Sequence, residues 1–133
     1  MLVSQVFDSS VLVPLLTDVP GRAAARQAAI GVDIVVPHIA DAEVLSALRG
    51  LLRGGAILPV DLVDAVETLA TMPIPRFSMQ GLHHRVLQLR DNLTAYDATY
   101  VALAEVLELE LVTLDRGMAL APGVTCDVIL LEA

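Results

Sequence analysis

A chain of 133 residues fits one domain, residues 1–133, built on a single core. With 56% hydrophobic residues it is too apolar to be disordered, yet its longest uncharged stretch, Gly117 to Cys126, has ten residues and is broken by Pro122, where a membrane-spanning helix needs roughly 20. Sixteen acidic residues face eight basic ones, all arginine, for a net charge of −8. The missing lysine excludes phosphate-binding loops, Schiff-base chemistry and receiver-type phosphoryl transfer, and the charge opposes indiscriminate binding of nucleic acid.

In chain order, Leu2 to Phe7 reads as a buried strand ending at Asp8, the sole charge of the first seventeen residues. Val11 to Leu16 predicts a short helix, and Gly21 to Ile30, opened by Pro20, a second. Ile34 to Val36 is a strand stopped by Pro37. Ile39 to Arg53 predicts a long helix that closes at Gly54 and Gly55, with Asp41 as its cap and Glu43 about one turn in. Asp61 to Met72 carries Leu62, Val63, Val66, Leu69 and Ala70 at amphipathic spacing and stops at Pro73, before a third strand, Ile74 to Phe77. Gln80 to Leu89 reads as helix, and Thr94 to Leu107 as a buried helix whose only charge before Glu105 is Asp97. Leu111 to Leu114 is a strand ending at Asp115, and Val128 to Leu131 is the last. Strands alternating with helices predict an α/β fold with a mostly parallel sheet covered on both faces, whose functional crevice lies at the carboxyl ends of the strands.

Asp8 and Asp115 fall at such ends, Asp97 starts an apolar helix, and Glu43 lies early in the helix after the second strand. Each has an ordinary structural reading: Asp8 as a helix cap, Asp97 as half of a capping box with Thr94, Asp115 as a turn residue, Glu43 as a favourable charge near a helix N-terminus. The joint pattern asks for more, because capping does not require the lone charge of an apolar element to fall at its crevice end. Two carboxylates about 5 Å apart repel by roughly 3 kcal/mol at an effective dielectric of ~20. A divalent cation resolves the repulsion, and all-oxygen ligands select a hard ion, Mg²⁺ or Mn²⁺.

The segments VFDSSVLV, ADAEVLSALR, LTAYDATYVALAE and LVTLDRG resemble the four acidic motifs of PIN-domain proteins, specifically the VapC toxins of bacterial toxin–antitoxin modules. The resemblance spans residues 2 to 131 and implies a three-layer α/β/α fold and a metal-dependent endoribonuclease. Its acidic quartet would be Asp8, Glu43, Asp97 and Asp115. Asp8 and Asp97 would be direct metal ligands, with Glu43 and Asp115 acting directly or through water. Ser10 and Thr113 match small hydroxyl positions that would orient carboxylates or waters. The resemblance further implies hydrolysis by a water that the ion activates, leaving a 5′-phosphate and a 3′-hydroxyl. It also implies a homodimer, and a cognate antitoxin that inserts a segment into the acidic cleft.

Among the remaining residues, Arg49 and Arg116 are candidates to hold RNA phosphates through their forked guanidinium groups. His38, His83 and His84 read as structural, since adjacent histidines on a helix diverge by about 100° and complete no zinc set. The lone Cys126 permits no internal disulfide and reads as an inert buried thiol. Tyr96 and Tyr100 flank Asp97; Tyr96 could stack a base at the cleft, but core packing is the expectation for both. The chain opens without a basic region or cleavage site, so a cytoplasmic location is the expectation. The rival reading is a catalytically inactive PIN-like module that binds RNA or protein.

Overall fold

The computed structural model describes residues 2–133. Five strands, β1 (Val3–Phe7), β2 (Val32–Pro37), β3 (Arg76–Phe77), β4 (Glu110–Thr113) and β5 (Val128–Leu130), form one sheet in the order β3-β2-β1-β4-β5. Every neighbouring pair is parallel, so the sheet is wholly and not just mostly parallel. The helices are α1 (Ser9–Leu16), α2 (Arg22–Ala29), α3 (Ile39–Arg53), α4 (Pro59–Thr71), α5 (His83–Gln88), α6 (Ala95–Leu107) and α7 (Arg116–Ala119). The chain steps outward from β1 through β2 to β3 and then returns across to β4. Right-handed crossovers therefore carry α1 to α4 over one face and α5 and α6 over the other, which gives the three expected layers. The packing agrees: α1 lies against α2, α3 and α4, while α6 lies against α5 and strands β1, β2 and β4.

The central strands are covered on both faces, which is why they read as unbroken apolar runs rather than as alternating ones. Val6 pairs in register with Val35 and Leu111, Phe7 with Val112, and all five side chains are buried. No helix among the described residues is long and apolar enough to cross a membrane.

Where element boundaries differ from expectation, turn chemistry explains the shift. α4 begins at Pro59, earlier than the apolar periodicity suggested, because proline at a first helical position sacrifices no hydrogen bond, and the Leu58 N–H donates to Asp61 Oδ2 at 2.8 Å. α5 is shorter than the predicted Gln80 to Leu89, because Gly81 sits at φ +87° and turns the chain before His83. α7, four residues long, is too short to leave a periodic trace in the sequence.

Two ion pairs that the sequence did not signal tie neighbouring elements together. Asp41 is not the cap of α3: its carboxylate is gripped by Arg76 of β3, Nε to Oδ2 at 2.7 Å and Nη2 to Oδ1 at 3.1 Å. On the other face Arg85 Nε donates to Glu105 Oε1 at 2.6 Å, and the Thr125 N–H and hydroxyl both donate to Glu105 Oε2, tying α5, α6 and the segment before β5 together. Burial alone would raise the Glu105 pKa, but the bonds from Arg85 and Thr125 overcome it and hold the carboxyl at about 2. A carboxyl depressed in the folded state contributes stability above its unfolded pKa near 4.5 and loses it as pH falls toward 2. Glu105→Gln should therefore melt lower than wild type at pH 7, by about 1–2 kcal/mol after allowance for solvent screening, and the two melting curves should converge between pH 4.5 and 2.5. A gap that stays constant over that range would assign the loss to packing instead. Nearby, burial pushes the Cys126 thiol up to about 11, as suits an inert sulfur.

Candidate active site

The sheet order makes β1 the switch point: its neighbour on one side is the next strand in the chain, on the other β4. Crevices of open α/β sheets lie outside the carboxyl ends at such a point. Asp8 directly follows β1, and Asp115 lies two residues beyond Thr113 at the end of β4. Asp97 occupies the first turn of α6, the helix that crosses beneath these strands. The three aspartates line one cleft of about 430 Å³, floored by Val13, Pro14, Ala47 and Leu51, and no basic side chain lines it.

Each carboxylate is placed by local bonds. Asp8 stands at the cap position of α1 but makes no side-chain capping bond; the Ser10 hydroxyl donates to its Oδ1 at 2.6 Å instead. The same Ser10 oxygen accepts from the Leu114 N–H at 2.9 Å and lies 3.3 Å from the Thr113 hydroxyl, which accepts from the Asp115 N–H at 2.9 Å. Ser10 and Thr113 thus form a polar bridge between the ends of β1 and β4. Asp115, read as a turn residue, instead caps a helix, accepting from the Met118 N–H at 3.2 Å alongside its place in the cleft. A Cβ at Gly117 would come within 3.2 Å of that Asp115 Oδ1, so glycine leaves the carboxylate its room. Asp97 is held by half a capping box, its N–H donating to Thr94 Oγ1 at 3.1 Å.

Glu43 stands slightly apart. It lies in the second turn of α3 and lines an adjoining cavity with Tyr96, rather than the cleft of the three aspartates. Ser9 and Ala47 line both spaces, so the two are neighbours. Its neighbour Asp41 is paired with Arg76 and lines neither space. Glu43 Oε1 and the Tyr100 hydroxyl are both buried without a hydrogen-bond partner, close enough that each perturbs the other.

The electrostatics are those of an uncompensated acidic cluster. Burial pushes the Asp8 carboxyl up to about 7; hydrogen bonds from the Ser10 and Thr113 hydroxyls oppose the rise, and the charges of Asp97 and Asp115 add to it. Burial also raises Glu43, as does the charge of Asp97, and Asp97 is raised by burial and by Asp115. Among the described residues no three His, Cys, Asp or Glu side chains are already drawn together as a finished metal site. The donor set nonetheless fits a hard divalent cation: every candidate ligand is a carboxylate oxygen, one of them is buried and unpartnered, and no arginine offsets their charge.

The remaining candidates fall outside the cleft. Arg49 and Arg116 are exposed, lie on α3 and at the start of α7, and form no ion pair; the described residues contain two such pairs, and neither involves them. His38, His83 and His84 are exposed and line neither the cleft nor the cavity beside Glu43. Tyr100 is in the core as expected, but Tyr96 is not: 61% of it is exposed.

A family model described as the PIN domain matches residues 6–124. A VapC ribonuclease of Mycobacterium bovis is 37% identical over 120 residues, which cover 90% of this chain and 91% of that one. The chain belongs to the PIN-domain family, in its VapC branch. Among solved structures, this PIN domain superposes on FitAcB from Neisseria gonorrhoeae with a TM-score of 0.70 at 17% identity, covering 93% of this chain and 95% of that one. A toxin–antitoxin complex from Klebsiella pneumoniae matches with a TM-score of 0.63 at 24% identity, over 94% of this chain and 95% of that one. At such identities these structures speak for the fold, and the fold they support is the three-layer PIN arrangement described above.

Proposed function

We propose that this VapC-branch PIN domain is the toxin of a type II toxin–antitoxin module, an endoribonuclease that hydrolyses RNA phosphodiester bonds with water and depends on Mg²⁺ or Mn²⁺. The observation that carries the reading is the gathering of Asp8, Asp97 and Asp115 from three separate elements into one cleft at the sheet's switch point. These three residues, with Glu43 at the margin, would hold the ion. When bound, the cation supplies charge stabilisation at the scissile phosphate and a more acidic water. The protein's own contribution is positional. The Ser10 and Thr113 bridge fixes Asp8 relative to Asp115, and the N-terminus of α6 presents Asp97 where the helix dipole favours negative charge. Without a cation the cleft repels a phosphate, so substrate and ion should bind cooperatively.

The relatives' names support the ribonuclease and toxin assignments: the Mycobacterium bovis relative is a VapC ribonuclease, and the Klebsiella structure is a toxin–antitoxin complex. An antitoxin protein and a second copy of the chain are the partners proposed for the apolar side chains left in solvent on α4, Val60 and Val63 among them, and the cytoplasm is the proposed site of action. The deciding experiment is cleavage of total cellular RNA by wild type and Asp97→Asn, each with Mg²⁺, Mn²⁺ or a chelator. Wild type should produce 5′-phosphate ends only with the ion present, and Asp97→Asn should lose at least about 100-fold in rate. Cleavage that survives the chelator, or full activity in the variant, would overturn the proposal.

A further inference from the structure

The chain has four aromatic rings, two phenylalanines and two tyrosines. Phe7 and Tyr100 are in the core, and Phe77 lies on the two-residue edge strand β3. Tyr96 is the most exposed of the four at 61%, and it directly precedes Asp97 in the first turn of α6. Tyr96 lines a cavity of about 630 Å³ together with Ser9 and with Ile39, Ala42, Glu43, Ser46 and Ala47 of α3. That cavity adjoins the acidic cleft, since Ser9 and Ala47 line both. A phenol ring beside the aliphatic side chains of Ile39, Ala42 and Ala47 offers a face for a flat heterocycle, and the Ser9 and Ser46 hydroxyls and the Glu43 carboxylate offer partners for its polar edge. Stacking on a ring also suits this particular protein. With a net charge of −8 and no lysine it gains little affinity from phosphate contacts, whereas stacking is indifferent to net charge.

We propose that the cavity between α3 and α6 is a nucleobase subsite, in which one base adjoining the scissile phosphate stacks on Tyr96 while the Ser46 hydroxyl meets its polar edge. The inference rests on the ribonuclease reading above and adds to it a specificity residue outside the acidic quartet. Stacking of one base on an aromatic side chain corresponds to a change in binding of roughly 5- to 150-fold. It reads every base by its face, so Tyr96 supplies grip at one position, and Ser46 supplies such preference among bases as the subsite has.

The test begins by mapping the protein's own cleavage sites in total RNA and synthesising a short RNA around one of them. Tyr96→Ala should raise KM for that RNA at least 5-fold, with Tyr96→Phe and Tyr96→Trp staying within about 2-fold of wild type. An abasic substitution at one position beside the cleaved bond should raise the wild-type KM by a similar factor and add little to Tyr96→Ala, since both changes remove the same contact. An unchanged KM in Tyr96→Ala, or abasic penalties that multiply in full with it, would overturn the subsite while leaving the ribonuclease reading intact. If wild type cleaves no RNA under any ion, both fall. If Tyr96→Ala cleaves normally but resists inhibition by the antitoxin protein, the ring belongs to a protein interface and the proposal is overturned. Tyr96 is mostly in solvent, so the variant's melting temperature should match wild type, separating lost contact from lost fold.

Discussion

Asp8→Asn should abolish RNA cleavage and at the same time make the metal-free protein more stable at pH 8. Asp8 is 2% exposed, and burial pushes its carboxyl up to about 7, from 3.8 in the unfolded chain. For an acid whose pKa is raised by folding, the folded state binds the proton more tightly. Stability therefore falls as pH rises from near 4 and has lost the full increment above about 7. A shift of this size sets an upper limit of about 4 kcal/mol, from which a buried asparagine amide with an unmet donor subtracts ~1 kcal/mol. The Ser10 hydroxyl can still donate, now to the amide oxygen. The net gain should be about 2–3 kcal/mol at pH 8, roughly 6–12 °C in Tm for a domain of this size, and should vanish near pH 4. Activity moves the other way, by at least about 100-fold, since the variant removes a charged oxygen from the centre of the cleft. Melting curves at pH 4, 6 and 8 in the presence of a chelator test the first half. Equal or lower stability of Asp8→Asn at pH 8, or a difference that ignores pH, would show that Asp8 is not strained in the way described. Adding Mg²⁺ should raise the melting temperature of wild type far more than that of the variant, because a ligand that binds the folded state stabilises it in proportion to its affinity. The cluster thus trades stability for function, a compromise common at active sites.

Much of this arrangement was legible in the sequence because parallel α/β sheets place function at strand ends, and strand ends are among the clearer marks in an apolar chain. Asp8 and Asp115 stood out as charges closing β-branched runs, and Asp97 as the lone charge entering an apolar helix. The four acids could be grouped at one crevice from the sequence, but that Glu43 stands apart from the other three was not legible. Glu43 and the aspartates come from elements whose spacing is fixed by packing, and the structure puts Glu43 across the Ser9 and Ala47 wall rather than among the other three. Nor could periodicity separate the two tyrosines. Tyr96 and Tyr100 lie one turn apart on the same face of α6, and only their distance along the axis, Tyr96 in the first turn and Tyr100 one turn deeper, decides which meets solvent. Asp41 was misplaced as a cap for a similar reason: its partner, Arg76, is 35 positions away in the chain, and a local signal was read where a distant one prevails.

That distant pair leads to the second large effect. Arg76→Ala should cost about 2–3 kcal/mol and about 10 °C in Tm, although Arg76 lies on an edge strand of two residues. All five of its guanidinium N–H groups find acceptors. Nε and Nη2 bond the Asp41 carboxylate at 2.7 and 3.1 Å, Nη1 donates to the Met72 and Ile74 carbonyls at 3.2 Å each, and Nη2 also donates to the Leu69 carbonyl at 2.9 Å. Leu69 lies in the last turn of α4 and Met72 just beyond it, where helical carbonyls lack intrahelical partners, so the side chain serves as a C-terminal cap that reaches α4 from another element. Its other arm anchors the first turn of α3, two residues before Glu43. Removal strands three carbonyls and leaves Asp41 as a second free charge beside Glu43. An exposed ion pair alone would be worth less than 1 kcal/mol; the larger figure rests on the half-buried fork and the carbonyls it satisfies. Arg76→Lys discriminates between charge and geometry. A single ammonium cannot bridge Asp41 and the end of α4 at once, so it should recover less than half of the loss. Full rescue by lysine would reduce the pair to simple charge neutralisation, and a Tm change under about 2 °C in Arg76→Ala would remove the clasp from the account of how α3, and with it Glu43, is held against the cleft.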